Sequence, residues 1–274
     1  MKKFYFTCAA VLILAAASFS QTAVPDKKPT STSGKKTPQP ITLNEAVKAI
    51  EAEMVFVEGG KFKMGCPSES DTSCYFWEKP THEVSISQFY IAKFPVTQRE
   101  WTAVMGTKPW FSKDCEDCPV ENVSWYDAQV FINTLCQLTG KHYRMPTEAE
   151  WEYAARGGNQ SKGYKYAGSN NADEVAWFDN NSGKVSHTVG KKKPNELGLY
   201  DMSGNVWQWC SDWFESNYYS SSPQDNPELT RGEVYRVCRG GSWWGEAKDC
   251  RVSNRDRYPP DAKDDDVGFR LARD

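Results

Sequence analysis

The sequence predicts a single mixed α+β domain with short helices, short strands and long ordered loops. Three segments begin with a Thr or Ser that is followed three residues later by an acid, a pattern typical of helix starts. Other segments alternate apolar and polar residues as strands do. After Gly157 the chain is rich in Gly, Asn, Asp and Trp, which favours loops held together by aromatic packing.

The three predicted helices begin at Thr97 (TQRE), Ser124 (SWYD) and Thr147 (TEAE). We expect Gly140 to stop the second helix and Gly157 to end the third. In the second helix the residues that recur at helical spacing are Trp125, Ala128, Phe131 or Ile132, Leu135 and Leu138. In the third helix the inward residues are Trp151 with Ala154 or Ala155.

Strands are expected on both sides of these helices. MVFVEGGKFKMG is predicted to form a hairpin, and HEVSISQFYIAKF to form a strand pair or one bent strand. After a tight turn at Ser203 and Gly204, VWQW is predicted to be a strand. Because side chains alternate along a strand, both Trp residues of that segment should share one face and Gln208 the other.

The N-terminal 41 residues divide into two predicted segments. In residues 1–20, Lys2 and Lys3 precede the apolar run AAVLILAAA, as in a secretory signal peptide cut near Ser20. Residues 21–41 are rich in Pro, Lys, Ser and Thr and predict a disordered linker before a domain at 42–274. The apolar run is too short for a membrane span. We therefore expect an exported protein, periplasmic or extracellular, with no membrane-spanning segment.

Charge and cysteine content narrow the function classes. The formal charge of −3, with both signs interspersed, predicts no binding to nucleic acid. Without Cys8, which leaves with the signal peptide, eight cysteines remain, an even number that fits disulfides in an oxidising compartment. The local spacing predicts the pairs Cys66 with Cys74 and Cys115 with Cys118, although the CxxC spacing of the second pair also fits zinc. The cysteines left for longer-range pairing are Cys136, Cys210, Cys238 and Cys250.

Six motifs occur in an order that resembles a known family. They are FVEGGKFKMG, FPVTQREW, RMPTEAEWEYAARGG, GLYDMSGNVWQW, RGGSW and VGFRLAR, and they span Met54 to Asp274. This order is similar to that of formylglycine-generating enzyme, or sulfatase-modifying factor, domains. The resemblance implies a compact, loop-rich variant of the C-type-lectin-like fold.

The same resemblance implies copper chemistry at two cysteines five residues apart after the GGS motif. The first position falls on Gly245 and the second on Cys250. If the chain were active, Cys250, Ser242 and Trp207 would be the catalytic residues. A lone thiolate cannot form the linear two-sulfur site that Cu(I) favours, so copper is not expected.

Cys250 is therefore expected to be structural, with Cys210 as its preferred disulfide partner because both flank Trp-rich segments. A free thiol is the alternative. Lys248 and Arg251 make the setting of this thiol electropositive, but Asp249 and Glu246 offset them.

A calcium site is a further expectation. Asp201 before the turn and Gln208 after it are placed to converge on one point, where a hard cation prefers oxygen ligands. By resemblance, the structural calcium would use both side chains and the carbonyls of Gly204 and Val206. The alternative is that Asp201 caps the turn and Gln208 hydrogen-bonds the backbone.

The C-terminal segment is the second candidate binding surface. It combines aromatic rings with fork-shaped and acidic groups, a mixture suited to peptide or glycan recognition. The candidate ligand-binding residues are Trp244, Asn254, Arg255, Arg257 and Tyr258. The alternative is that the Trp side chains are core and that the Arg and Asp side chains pair with one another. Of the two Trp residues, Trp243 is expected to be buried and Trp244 exposed.

Three functions follow from these observations. The first is an oxidase that converts a cysteine of a sulfatase-type substrate to formylglycine. The second is a ligand- or partner-binding module on the same scaffold, which needs none of the missing residues. The third is another, unassigned oxidoreductase that reuses the pocket.

Overall fold

A computed structural model describes residues 41–68, 72–112 and 114–274. The predicted signal peptide and the predicted linker up to residue 40 lie outside the described residues. Four helices start with capping boxes, in which the side chain of the N-cap residue and an acid three residues on satisfy the first backbone N–H groups. They are α1 (Leu43–Ala52), α2 (Gln98–Met105), α3 (Trp125–Thr139) and α4 (Glu148–Ala155).

The three predicted helix starts are confirmed, and α1 was missed. Its start, TLNE, carries the same capping signal as the other three. Gly140 ends α3 with φ of 67°, as expected for a glycine that stops a helix in the left-handed conformation. Trp151, on α4, is buried as predicted. Leu138 differs from expectation, because it is 47% exposed at the last turn of α3.

The predicted hairpin at residues 54–65 is wrong. β1 (Met54–Val57) and β2 (Gly60–Met64) do not pair with each other. β2 pairs instead with β3 (His82–Ile86), and β1 pairs with β4 (Phe89–Ala92). Residues 82–92 are thus one bent strand, one of the two predicted alternatives, and residues 54–64 form a second. The two bent strands approach each other closely at Gly59. A Cβ atom at this position would lie only 2.6 Å from the carbonyl oxygen of Ile86, so a residue with a side chain would not fit.

The remaining strands complete two four-stranded sheets. The first sheet has the order β1-β4-β10-β5, with β5 (Tyr143–Arg144) and β10 (Ala272–Arg273). The other has the order β8-β7-β6-β9 and consists of β6 (Trp207–Trp213), β7 (Arg236–Arg239), β8 (Arg255–Tyr258) and β9 (Val267–Phe269). β6 runs parallel to β9 and antiparallel to β7. More of the chain after Gly157 is therefore in strands than the sequence predicted.

The central strand β6 separates two parts of the core. Trp207 and Trp209 pack into a cluster with Phe131 and Phe269, and Gln208 points to the opposite side, as the alternation predicted. Between α4 and β6 the chain forms ordered loops with two one-turn helices, α5 (Ala172–Val175) and α6 (Asp179–Ser182). Single 3-10 turns lie at Phe76–Glu78, Gly158–Gln160, Tyr218–Ser220 and Ala247–Cys250. Within the described part of the chain, no helix has the length and apolar character needed to cross a membrane.

Candidate functional site

The C-terminal segment and a distant loop together line an open cavity of about 420 Å³. We call it the C-terminal cavity. Its walls combine aromatic rings, two carboxylates, two guanidinium groups and one amide. The lining residues are Tyr75, Trp77, Tyr235, Asp249, Asn254, Arg255, Asp256 and Arg257.

A buried ion pair joins the two walls of the C-terminal cavity. Glu78, directly after the aromatic wall, accepts hydrogen bonds from both terminal nitrogens of Arg251 at 2.6 and 2.7 Å. It also accepts from the backbone N–H of Tyr75 at 2.9 Å and from the hydroxyl of Ser253 at 2.8 Å. Two segments that are far apart in sequence are thereby held together, and the Tyr75 and Trp77 rings stack at 4.8 Å.

The floor of the cavity is formed by the start of β8. Arg255 is buried, and its guanidinium donates to both oxygens of Glu148 on α4 at 2.7 Å each. It also donates to the carbonyl of Trp77 at 3.0 Å, while the Trp77 indole donates back to the Arg255 carbonyl at 3.0 Å. Because Arg255 is held by these groups, it supports the cavity and has little capacity left for a ligand.

Asn254 carries an unsatisfied acceptor buried close to this floor. The side chain is only 2% exposed, and its amide nitrogen donates to the carbonyl of Asp249 at 2.9 Å, which fixes the orientation of the amide. Its oxygen, Oδ1, has no hydrogen-bond partner among the described residues. A buried acceptor without a partner costs free energy. Because this oxygen has almost no accessible surface, a ligand in the cavity would reach it only if the amide moved.

Arg257 is held by aromatic faces rather than by an acid. Its guanidinium lies 5.0 Å from the ring centre of Trp77, 4.8 Å from that of Phe214 and 5.8 Å from that of Tyr235. No ion pair of its side chain is found among the described residues. The guanidinium is thus oriented by cation–π contacts, and its N–H groups remain available to an oxygen of a ligand.

Two carboxylates complete the polar lining. Burial raises the pKa of Asp249 and of Asp256 above the ordinary aspartate value. Asp249 accepts one hydrogen bond from the backbone N–H of Glu246 at 2.9 Å, and Asp256 accepts one from that of Arg257 at 2.8 Å. The positive charges of Lys248 and Arg251 partly offset the charge of Asp249, and the charge of Arg257 partly offsets that of Asp256.

A second cavity of about 400 Å³ adjoins the first. The two cavities share Trp77, Tyr235 and Arg257, and we call the pair the binding groove. The second cavity is more aromatic, since Phe76, which is 68% exposed, and Phe214 both line it. The groove is therefore long enough for a ligand that extends past Arg257.

Three of the five predicted ligand-binding residues line the groove: Asn254, Arg255 and Arg257. Trp244 is 60% exposed as expected, but it does not line the groove and instead contacts the ammonium of Lys184 at 4.4 Å. Tyr258 packs against Trp209 in the core. The lining residues outside the predicted C-terminal surface are Tyr75, Trp77, Tyr235 and Asp249.

The three predicted catalytic residues are buried, and two of them, Ser242 and Trp207, share Asp266 as a hydrogen-bond partner. Ser242 donates to a carboxylate oxygen of Asp266 at 2.5 Å, and the backbone N–H of Trp207 donates to the carbonyl of Asp266 at 2.8 Å. Cys250 is fully buried and packs in a separate apolar cluster, where burial raises the pKa of its thiol far above the ordinary cysteine value. With Gly245 at the other position, the residues present do not fit a two-sulfur copper site.

Both predicted local disulfides are present, namely Cys66 with Cys74 and Cys115 with Cys118. The sulfurs of the CxxC segment are therefore bonded to each other rather than arranged for zinc. The predicted bridge between Cys210 and Cys250 is wrong, because both are free buried thiols. The physical reason is that the two side chains pack in different apolar clusters.

Two of the four predicted calcium ligands, the side chains of Asp201 and Gln208, make hydrogen bonds within the protein. Gln208 Oε1 accepts hydrogen bonds from the Trp151 indole at 2.9 Å and from Arg270 Nε at 2.7 Å. Its amide nitrogen donates to the carbonyl of Asp201 at 2.7 Å. The Asp201 carboxylate accepts from the Gly190 N–H at 2.8 Å and from the Asn205 amide at 3.2 Å. The Arg270 guanidinium thus occupies the position next to Gln208. The calcium site, which would also use the carbonyls of Gly204 and Val206, stays a prediction.

Sequence comparison identifies a matching protein family and similar proteins. Residues 41–274 match the family described as "Sulfatase-modifying factor enzyme 1-like domain". The chain is 34% identical to the chaperone protein LppX of Paenibacillus barcinonensis, over 82% of this chain and 90% of that protein. It is 38% identical to the formylglycine-generating enzyme of Streptomyces coelicolor, over 57% of this chain, and the match spans about half of that enzyme (52%).

Among solved structures, the chain is similar to Treponema denticola variable protein 1. The TM-score is 0.72 at 33% identity, and the superposition covers 80% of this chain and 94% of that one. The single α+β domain described above is thus a fold that other proteins share.

Proposed function

Since the chain belongs to the sulfatase-modifying factor enzyme 1-like domain family, we propose that this member uses the family scaffold to bind a ligand or partner in the binding groove. The observation that carries this proposal is the Arg257 guanidinium, which lines both cavities of the groove and has no ion pair among the described residues. Three aromatic rings orient the guanidinium, so its N–H groups are pre-positioned donors for an oxygen of a ligand.

A peptide or protein is the favoured ligand class, and a glycan is the alternative. The groove offers rings for stacking, which both classes use. A chaperone acts on polypeptides, and the relative of P. barcinonensis carries that name. We take this as support for a polypeptide ligand of the present chain.

Ligand panels with matched variants test the proposal. Peptide and glycan arrays are probed with the full chain, with Arg257→Met, and with Arg231→Met as a control in which one exposed arginine outside the groove is lost. Methionine keeps an apolar side chain between the rings but removes the donors. We expect the wild type and Arg231→Met to retain the same ligands and Arg257→Met to bind them at least tenfold more weakly. Equal binding by all three proteins would contradict the proposal.

Formylglycine formation is the second candidate, because Cys250 occupies one of the two cysteine positions that the family resemblance implies. Its assay combines the protein, copper and a peptide containing CxPxR under oxygen, followed by mass analysis for the aldehyde. Since Gly245 supplies no second sulfur, we expect no aldehyde above the level of a Cys250→Ser control. Aldehyde that disappears in Cys250→Ser would establish the oxidase and overturn the binding proposal.

Export to an oxidising compartment is part of the same proposal. Two disulfides support it, because such bonds persist mainly outside the cytosol. Fractionating the cells that produce the protein tests it. We expect a shortened chain that begins near residue 21 in the periplasm or the medium.

A further inference from the structure

The disulfide between Cys115 and Cys118 lies outside the binding groove and borders two open cavities of its own. Cys115 is half-buried and lines both cavities, of about 240 and 370 Å³, whereas Cys118 is only 4% exposed and lines the larger one. Neither Cys66 nor Cys74 of the other disulfide lines these cavities or the groove. A thiol from outside would therefore reach the Cys115 sulfur first.

The loop around this disulfide is held by contacts that do not depend on the sulfur–sulfur bond. The backbone N–H of Cys115 donates to the Gln98 side chain at 2.9 Å, and that of Cys118 donates to the Cys115 carbonyl at 2.8 Å. The backbone N–H groups of Gln98 and Arg99 donate back to the carbonyls of Cys118 and Glu116 at 2.9 and 3.0 Å. A disulfide that closes so short a loop also removes little chain entropy from the unfolded state. The bond can thus open while the loop keeps its two sulfurs close together.

Thr188 is placed to stabilise negative charge on the Cys115 sulfur. Its hydroxyl oxygen lies 3.7 Å from that sulfur, and the hydroxyl is the donor because a disulfide sulfur carries no hydrogen. A hydrogen bond to an ionised acceptor is stronger than one to a neutral acceptor. The contact therefore strengthens when Cys115 becomes a thiolate.

The charges beside the disulfide are balanced. Asp114 accepts a hydrogen bond from the ammonium of Lys108 at 3.1 Å, and the next acid but two, Asp117, forms an ion pair with Arg99. The lining of the smaller cavity carries two cations, Lys108 and Arg99, and two acids, Asp114 and Glu116. The smaller cavity thus has no net charge that would repel an approaching thiolate.

Apolar side chains continue from the disulfide on both sides. The smaller cavity is lined by Ile41, Ala103 and Trp110, and the larger one by Val185, which is 47% exposed. Phe111, which follows a lining residue of the smaller cavity and precedes one of the larger, is 80% exposed. A polypeptide whose cysteines are flanked by apolar residues would bury apolar surface on both sides of the attacked sulfur, whereas a small thiol would not.

We propose that the disulfide of Cys115 and Cys118 oxidises a dithiol in an extended polypeptide segment whose cysteines are flanked by apolar residues. One substrate thiolate attacks the Cys115 sulfur, which forms a mixed disulfide and breaks the bond to Cys118. The second substrate thiolate attacks the substrate sulfur of the mixed disulfide, and Cys115 leaves as a thiolate that accepts the hydrogen bond of Thr188. Two electrons pass from the substrate dithiol to the protein, and the two substrate protons end on Cys115 and Cys118. This activity goes beyond the proposed function and does not depend on the groove.

Single-turnover oxidation in the absence of oxygen tests the inference, because the protein disulfides are then the only oxidants. The full chain is mixed with an excess of the capped peptide FCAACF, quenched with iodoacetamide at timed intervals and mapped by mass spectrometry. We expect one peptide disulfide for each bond between Cys115 and Cys118 that opens, while the bond between Cys66 and Cys74 stays intact. The peptide SCAACS, which lacks the apolar flanks, should react at least tenfold more slowly. No reaction, earlier opening of the other disulfide, or equal rates for the two peptides would overturn the inference.

Matched variants locate the step. Thr188→Val keeps the shape of the side chain without its hydroxyl and should slow the reaction of FCAACF at least threefold. Trp110→Ala should lower the rate with FCAACF to that with SCAACS and change the rate with SCAACS less than twofold. Arg257→Met, in the binding groove, should leave both rates unchanged. Melting curves identify a variant that does not fold, and the other variant then decides. Unchanged rates in a folded Thr188→Val or Trp110→Ala protein would overturn the inference.

Small thiols separate a selective site from a bond that is only accessible. Dithiothreitol and glutathione have no apolar flanks, so at equal thiol concentration each should open the bond between Cys115 and Cys118 at least tenfold more slowly than FCAACF. If either reacts as fast as the peptide, the inference is overturned. The proposed function still stands in that case, because it is decided by the loss of array binding in Arg257→Met.

Discussion

Replacing Glu78 by Gln tests whether the buried ion pair with Arg251 holds the binding groove together. Glu78 is fully buried and accepts hydrogen bonds from Tyr75, Ser253 and both terminal nitrogens of Arg251. In the glutamine variant one oxygen becomes an NH₂ group that faces donors. The substitution also leaves the Arg251 guanidinium, which is only 2% exposed, without its counter-charge.

The size of the effect follows from these contacts. Breaking a buried ion pair by removing one partner costs about 3–5 kcal/mol, so we expect a loss of that order in the free energy of unfolding. Urea unfolding followed by tryptophan fluorescence measures it. Glu83→Gln is the control, since the pair of Glu83 with Lys61 is exposed and should contribute less than about 1 kcal/mol.

A double variant separates the ion pair from simple packing. Glu78→Met with Arg251→Met removes both charges and leaves neither one buried alone. Its loss should be smaller than the sum of the two single losses, because the single variants share the same unpaired-charge penalty. If Glu78→Gln unfolds at the same urea concentration as Glu83→Gln, the ion pair does not hold the groove and the reasoning is refuted.

Three further predictions concern the rest of the molecule. Without reductant, iodoacetamide should leave Cys250 unlabelled in the native protein and label it in denaturant, because the thiol is buried and free; labelling that also requires a reductant would reveal a disulfide. Burial raises the pKa of Asp212 from 3.8 to about 7, so the folded protein retains a proton that the unfolded chain releases above about pH 4. Stability from this group should fall as pH rises from about 4 to 7, and Asp212→Asn should flatten the melting temperature over that range; an unchanged slope would contradict this. Since Arg270 occupies the position beside Gln208, calcium or EDTA should not shift the melting temperature, and a rise with calcium would restore the predicted site.

Local signals in the sequence predicted the parts of the fold that depend on neighbouring residues. Capping boxes located the starts of α2, α3 and α4, and alternation placed Trp207 and Trp209 on one face of β6. The hairpin at residues 54–65 was wrong because each half pairs with a strand more than 15 residues further along the chain. Periodicity identifies a strand without identifying its partner.

The sequence predicted only one wall of the binding groove, the wall formed by the C-terminal segment. The mixture of Asn254, Arg255 and Arg257 marked the C-terminal segment as a binding surface, and all three line the groove. The opposite wall was missed, because Glu78 and Arg251 are 173 residues apart and nothing in either segment shows that they pair. A signal was nevertheless present, since the aromatic run YFW directly follows a disulfide cysteine at Cys74.

The most direct test of the account is to locate the ligand on the protein by nuclear magnetic resonance. Titrating a ligand identified on the arrays into labelled protein should shift the indole N–H signal of Trp77 and the side-chain amide of Asn254, which both line the C-terminal cavity. The backbone signals of Gly245 and Cys250 should move less. Shifts centred on Gly245 and Cys250, with Trp77 and Asn254 unchanged, would place the function at the cysteine position and contradict the groove as the binding site.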